Sequence, residues 1–156
     1  MLSVNWDLLE SIPEEDVTDV LSVGSQRTLP EGSVLFSLGD EATHIFLVVS
    51  GKVSLTLPLR VGDGHQDALV EERIPGQLLG WSGLIPPHRY TLQAVASEET
   101  QLIALPRADL LTLFSARPEV GCALLGNLAK VIGQRLQVFQ TMWIREMQRV
   151  LESRSA

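Results

Sequence analysis

The chain has 156 residues, 45% of them hydrophobic and 20% charged, a length that suits one domain with one core, or a domain plus an extension. With 19 acidic against 12 basic residues the net charge is −7, which argues against nonspecific binding of nucleic acid or an anionic membrane through the whole surface. The charge is uneven: residues 119–156 hold Lys130, Arg135, Arg145, Arg149 and Arg154 against Glu119, Glu146 and Glu152, a balance of +2 that leaves −9 on 1–118.

The first residues, Met1 to Asp7, lack a basic segment followed by an apolar one, so no secretory signal is read there. Trp6, Leu8, Leu9 and Ile12 suggest a short helical segment. Ser11-Ile12-Pro13-Glu14 reads as a capping box with Ser11 as N-cap, and Glu14, Glu15 and Asp16 place negative charge at the positive end of the helix dipole. A helix over about 12–24 follows, closed by Gly24.

From residue 25 to 106 the texture changes to short strands punctuated by Gly and Pro. Val34–Phe36 is a strand between turns, Ile45–Val49 is an apolar run, and Val53, Leu55 and Leu57 alternate with Ser54 and Thr56. Gly62-Asp63-Gly64 is a hairpin tip, Ala68–Ile74 returns, and Tyr90–Ala96 and Gln101–Leu105 are the last strands. Turn signals at this spacing predict a sandwich or barrel. The fold expected is mainly β with flanking helices: a double-stranded β-helix, or jelly roll, behind N-terminal helices.

A short helix over 107–117 stops before Pro118, and a long one runs over 119–151. Leu125, Leu128, Ile132, Leu136, Phe139, Trp143, Met147 and Val150 recur at steps of three or four. Cys122, Gly126, Ala129 and Gly133 make a second stripe of small side chains. Asn127, Lys130, Gln134, Arg135, Gln137 and Gln140 interrupt the apolar stretch, so it is no membrane span, and a cytoplasmic protein is expected. About 33 residues give a rod of roughly 50 Å, longer than a domain diameter of roughly 35 Å. Its far end is therefore expected to pair with a second copy through Leu128, Ile132, Leu136, Phe139, Trp143 and Met147.

Chemistry-bearing clusters are sparse. Cys122 is the single cysteine, which excludes a disulfide framework and a four-thiolate cluster. His44, His65 and His88 lie far apart with no His-x-His pair, so a metal-dependent enzyme on a β-roll is not expected, and no metal site is assigned. No Ser/His/Asp order or carboxylate pair singles out a catalytic group, and the chain is read as a non-enzyme.

Several motifs together resemble the cyclic-nucleotide-binding domain of the catabolite activator protein family. Leu29-Pro30-Glu31-Gly32-Ser33-Val34-Leu35-Phe36-Ser37-Leu38-Gly39-Asp40-Glu41-Ala42 is similar to its signature first half. Ile45 to Val53, Pro75-Gly76-Gln77-Leu78-Leu79-Gly80 and Leu102 to Arg107 continue the match, over about residues 7–150. The resemblance implies an effector domain whose ligand is cyclic AMP, cyclic GMP or another cyclic nucleotide. Its phosphate cassette would be Gly80-Trp81-Ser82-Gly83 through Arg89-Tyr90-Thr91, where backbone N–H groups and one arginine hold the anion. Arg89 is the candidate arginine, although counting back from Leu105-Pro106 places Tyr90 nearer the family register. On the long helix, Gln140 is a candidate for the purine edge, with Thr141 beside it.

One departure stands out. Trp81 occupies the position where the family has a glutamate that accepts a hydrogen bond from the ribose hydroxyl, and Trp is bulky and a donor only. It either stacks on a different ligand or fills the pocket. The expectation is a small-molecule sensor acting through ligand-dependent repacking of the roll on a dimer helix. The alternative is a ligand-free protein-interaction module with an unidentified protein partner. The helix reading ends near Leu151 and leaves no room for a helix-turn-helix module, so direct DNA binding is not expected.

Overall fold

Ile45 to Val48 and Leu102 to Leu105 are apolar at every position because the strands that carry them are covered on both faces. In the computed structural model, which describes residues 4–156, Phe46, Val48, Leu102 and Ala104 point into the roll while Ile45, Leu47, Ile103 and Leu105 point out against helices. The reading of Met1, Leu2 and Ser3 lies outside the described residues.

The elements are helix α1 (Glu14–Ser22), strands β1 (Ser25–Leu29), β2 (Val34–Phe36), β3 (His44–Ser50), β4 (Val53–Val61), β5 (Gly64–Arg73) and β6 (Leu78–Leu79), a 3₁₀ turn (Trp81–Gly83), strands β7 (Gln93–Ala96) and β8 (Thr100–Pro106), and helices α2 (Arg107–Ala116) and α3 (Pro118–Ser155). Two antiparallel four-stranded sheets, ordered β1-β8-β3-β6 and β2-β7-β4-β5, face each other. This is the expected jelly roll. One core fills the space between the sheets around Phe36, Phe46, Leu55, Leu79 and Tyr90. A second lies between the β3 and β8 outer faces and the helices, around Leu8, Val20, Leu47, Leu110, Leu124 and Leu128.

The N-terminal start differs from the sequence reading. Ser11 adopts a left-handed backbone (φ 61°) and caps nothing. The residue before a proline is driven away from the helical region, so Ile12 stays outside and Pro13 takes the N-cap position, with no side-chain cap bond. Residues 7–11 form turns, not a helix, and are held against α3, where Asn127 Nδ2 donates to the carbonyls of Leu8 at 2.8 Å and Glu10 at 2.9 Å. Arg117 ties α1 to the start of α3 through Asp16 (2.5 Å), Asp19 (3.0 Å) and Glu119 (2.7 Å).

Helix α3 spans 38 residues, about 57 Å at 1.5 Å per residue. Val120, Leu124, Leu128, Val131 and Arg135 form its roll-facing stripe and are buried. Leu128, expected in a dimer seam, therefore belongs to the chain's own core: it lies four residues after Leu124 and seven before Arg135, on the same face. Residues 141–156 are all exposed, with Trp143 at 64%. The small-residue stripe is on the open side, where a Cβ added at Gly126 or Gly133 would meet nothing within 4 Å. Among the described residues no helix is long and apolar enough to cross a membrane.

Candidate functional site

The site expected from sequence lies where β6 ends. Gly80 has φ +77°, a left-handed conformation that a side chain would strain, and it turns the chain from β6 into the 3₁₀ turn. Gly83 is set by close approach: a Cβ there would collide with the carbonyl of His44. Two backbone N–H groups of this region are used in the turn's own bonds. Gly83 N–H donates to the Gly80 carbonyl (3.0 Å) and Leu84 N–H to that of Trp81 (3.1 Å). Ser82 is buried, and its carbonyl lies 3.0 Å from His88 Nδ1.

Arg89 is not in this site. It pairs across an isolated bridge with Glu41, and its exposed guanidinium donates to the Gly39 carbonyl at 3.2 Å. Successive residues on extended backbone face opposite ways, and Tyr90 takes the inward position. Only 6% exposed, the Tyr90 ring stacks on Phe36 with centroids 3.7 Å apart, and its hydroxyl donates to the His44 carbonyl at 2.8 Å. Burial raises the Tyr90 pKa, so the phenol stays protonated. A neutral aromatic pair thus stands where a guanidinium was expected.

Gln140 is not among the residues around the cassette. It lies five residues beyond Arg135, about 140° round the helix at 3.6 residues per turn, and its side chain is exposed and lines no cavity described here. Thr91 and Trp81 do line the site. Gly80, Trp81, Ser82, Tyr90 and Thr91 surround a cavity of about 20 Å³, enough for roughly one water. Next to it, sharing Trp81, Thr91, Leu92 and Arg135 as walls, is a cavity of about 340 Å³ between the β4–β5 hairpin and α3, lined also by Leu57, Val70, Leu136 and Phe139. That volume falls in the range of small-molecule sites.

Arg135 borders both spaces, as well as a polar cleft on its far side against Asp7, Glu71 and Arg73. Its residue exposure is 9%, and Nη2 sits 2.8 Å from Glu71 Oε2. The other Glu71 oxygen accepts from Arg73 Nη1 at 2.7 Å, while Arg73 Nε donates to the Leu78 carbonyl at 2.8 Å. Asp7 accepts from the Leu78 N–H at 3.1 Å and lies 3.5 Å from Arg73 Nη2. Burial raises the Asp7 pKa against the opposing pull of that N–H and of Arg73. Burial likewise lowers the Arg135 pKa, opposed by Glu71, yet a guanidinium remains charged in proteins.

Arg135 Nε is buried with no hydrogen-bond partner among the described residues, a position that costs about 1–3 kcal/mol in an apolar interior. Sequence reasoning treated Arg135 as an interruption of an apolar stretch. Its signal was a lone cation in helical step with Leu124, Leu128 and Val131.

Residues 26–117 match the cyclic nucleotide-binding domain family. The "Cyclic AMP receptor protein" of Thermus thermophilus is 35% identical over 130 residues, which cover 83% of this chain and 57% of the receptor. The solved Catabolite Activator Protein of Thermus thermophilus superposes with a TM-score of 0.75 at 31% identity, over 90% of this chain and 63% of the activator. The N-terminal domain of a transcriptional regulator from Streptomyces coelicolor gives 0.71 at 28% identity, over 85% of this chain and 91% of that domain. The chain thus spans little more than half the length of the receptor it matches. Roll, cassette turn and long helix agree with that match, and the chain belongs to the cyclic nucleotide-binding domain family.

Proposed function

We propose that this domain is a regulatory sensor for a small anionic ligand, bound where the β-roll meets α3, and that binding changes how α3 packs on the roll. Arg135 carries the reading: it is a buried cation on the long helix that bridges to Glu71 on β5 and borders, with Trp81, both adjoining spaces. An anion there bears on helix and roll together, so its binding energy acts on their packing. Cyclic AMP, cyclic GMP and other cyclic nucleotides are the ligands that family membership puts first. The exposed end of α3, with Trp143, Ile144 and Met147, pairs with a second copy and passes the change on. A cytoplasmic, non-enzymatic role belongs to the same reading.

The test is calorimetric titration with cyclic AMP, cyclic GMP and cyclic dinucleotides, repeated on Arg135→Lys and Arg89→Ala. Saturable heat that weakens with Arg135→Lys and survives Arg89→Ala is the expected result for nucleotide sensing. The second reading, a ligand-free interaction module, is favoured by the cassette cavity of about 20 Å³. Absence of heat from every nucleotide supports it over the nucleotide version.

A further inference from the structure

The cavity beside Trp81 has a chemistry unlike that of a nucleotide site. Its walls are aliphatic or aromatic apart from the Thr91 hydroxyl and the Arg135 guanidinium. The ribose of a cyclic nucleotide would bring its free hydroxyl to a surface with few partners for it, and a base would bring ring nitrogens. The cassette cavity itself, of about 20 Å³, admits roughly one water.

The charge has a matching peculiarity. Arg135 is nine-tenths buried, its one carboxylate partner Glu71 engages Nη2, and Nε–H has no acceptor among the described residues. An anionic group reaching Arg135 from the apolar side gives the guanidinium a second acid, in competition with Glu71.

Resting on the sensing reading above, we infer that the ligand of this site is an amphipathic monocarboxylate: an apolar body lies between the β4–β5 hairpin and α3 against Trp81, and the carboxylate meets Arg135. Exchange of Arg135 between Glu71 and the ligand then loosens the tie between α3 and β5.

Amide NMR titrations of the whole chain test it, with octanoate and 3-phenylpropanoate as probes, octanol as the uncharged counterpart, and cyclic AMP and cyclic GMP in parallel. Octanoate is expected to shift the amides of Trp81, Thr91, Ile132 and Arg135 saturably, with octanol about tenfold weaker for want of the charge-assisted bond. Thr91→Trp, at an exposed position on the cavity, is expected to abolish those shifts while leaving the rest of the spectrum unchanged. Arg135→Lys keeps a charge for Glu71 and is expected to weaken octanoate towards the octanol value. Equal binding of octanoate and octanol overturns the proposal, as do shifts confined to Trp143–Leu151, where a chain would merely coat the exposed helix. If the acids fail but a cyclic nucleotide shifts the same amides, the ligand class falls and the sensing reading stands. If neither binds, both fall.

Discussion

Tyr90 shows how one residue changes the character of a site. Its ring contributes stacking on Phe36 and its hydroxyl a hydrogen bond to the His44 carbonyl. Tyr90→Phe keeps the ring and is expected to cost about 1 kcal/mol, the worth of one bond. Tyr90→Ala opens a cavity between the sheets and is expected to cost about 3–5 kcal/mol. Urea unfolding of the two variants separates the contributions. His44 makes a pH prediction. Burial lowers its pKa below 6.5, with Arg27 adding to the effect. A base with a depressed folded pKa contributes stability present above its unfolded value and lost as pH falls through the folded one. Stability is therefore expected to decline below about pH 6.5, and His44→Gln to flatten that part of the profile; a His44 proton resonance titrating above 6.5 contradicts it.

At this scale the sequence was informative about type and less so about direction. Counting back from Leu105-Pro106 already put Tyr90 near the inward register, but the choice of Arg89 followed charge, and charge does not say which side of a strand a residue faces. Trp81 was legible as a departure. That it lines two spaces depends on how α3 lies across the hairpin, which no local pattern encodes.

Among the elements, the link between β5 and α3 has the clearest consequence. Glu71 is the shared partner of Arg73 and Arg135, both nearly buried. Glu71→Gln leaves two guanidinium groups without that carboxylate, and removing one member of a buried ionic group costs about 3–5 kcal/mol. Thermal or urea unfolding is expected to show a loss of that order, with a smaller added loss when Arg135→Met is combined with it, since the groups act together. The strands and α3 were readable because alternation and helical period persist over many residues. The start of α1 was not, because Ser11 through Glu14 fit a capping box in type, and the pull of Pro13 on Ile12 decided against it.

For the whole molecule, the overhang of α3 is the feature with the largest reach. Trp143 is 64% and Ile144 57% exposed on a helix that extends beyond its own roll. Sedimentation velocity is expected to give a dimer for the wild type and a monomer for Trp143→Glu. A wild-type monomer at micromolar concentration removes the argument for pairing. The overhang was legible from length alone, by comparing a rod with a sphere. The partition of its residues was not, because Leu128 fits the stripe by spacing and faces the roll by the helix's rotation, which packing sets.

Strands β3 and β8, covered on both faces, pair residues 44–50 with residues 101–106. Their central amides can meet solvent only when the sheets and the helices come apart together, so their hydrogen–deuterium exchange reports opening of the entire domain. A compound that binds the folded state slows that exchange by a factor set by its concentration and affinity. The same few amides, followed during incubation with mixed metabolites, therefore register a ligand before its chemical identity is known.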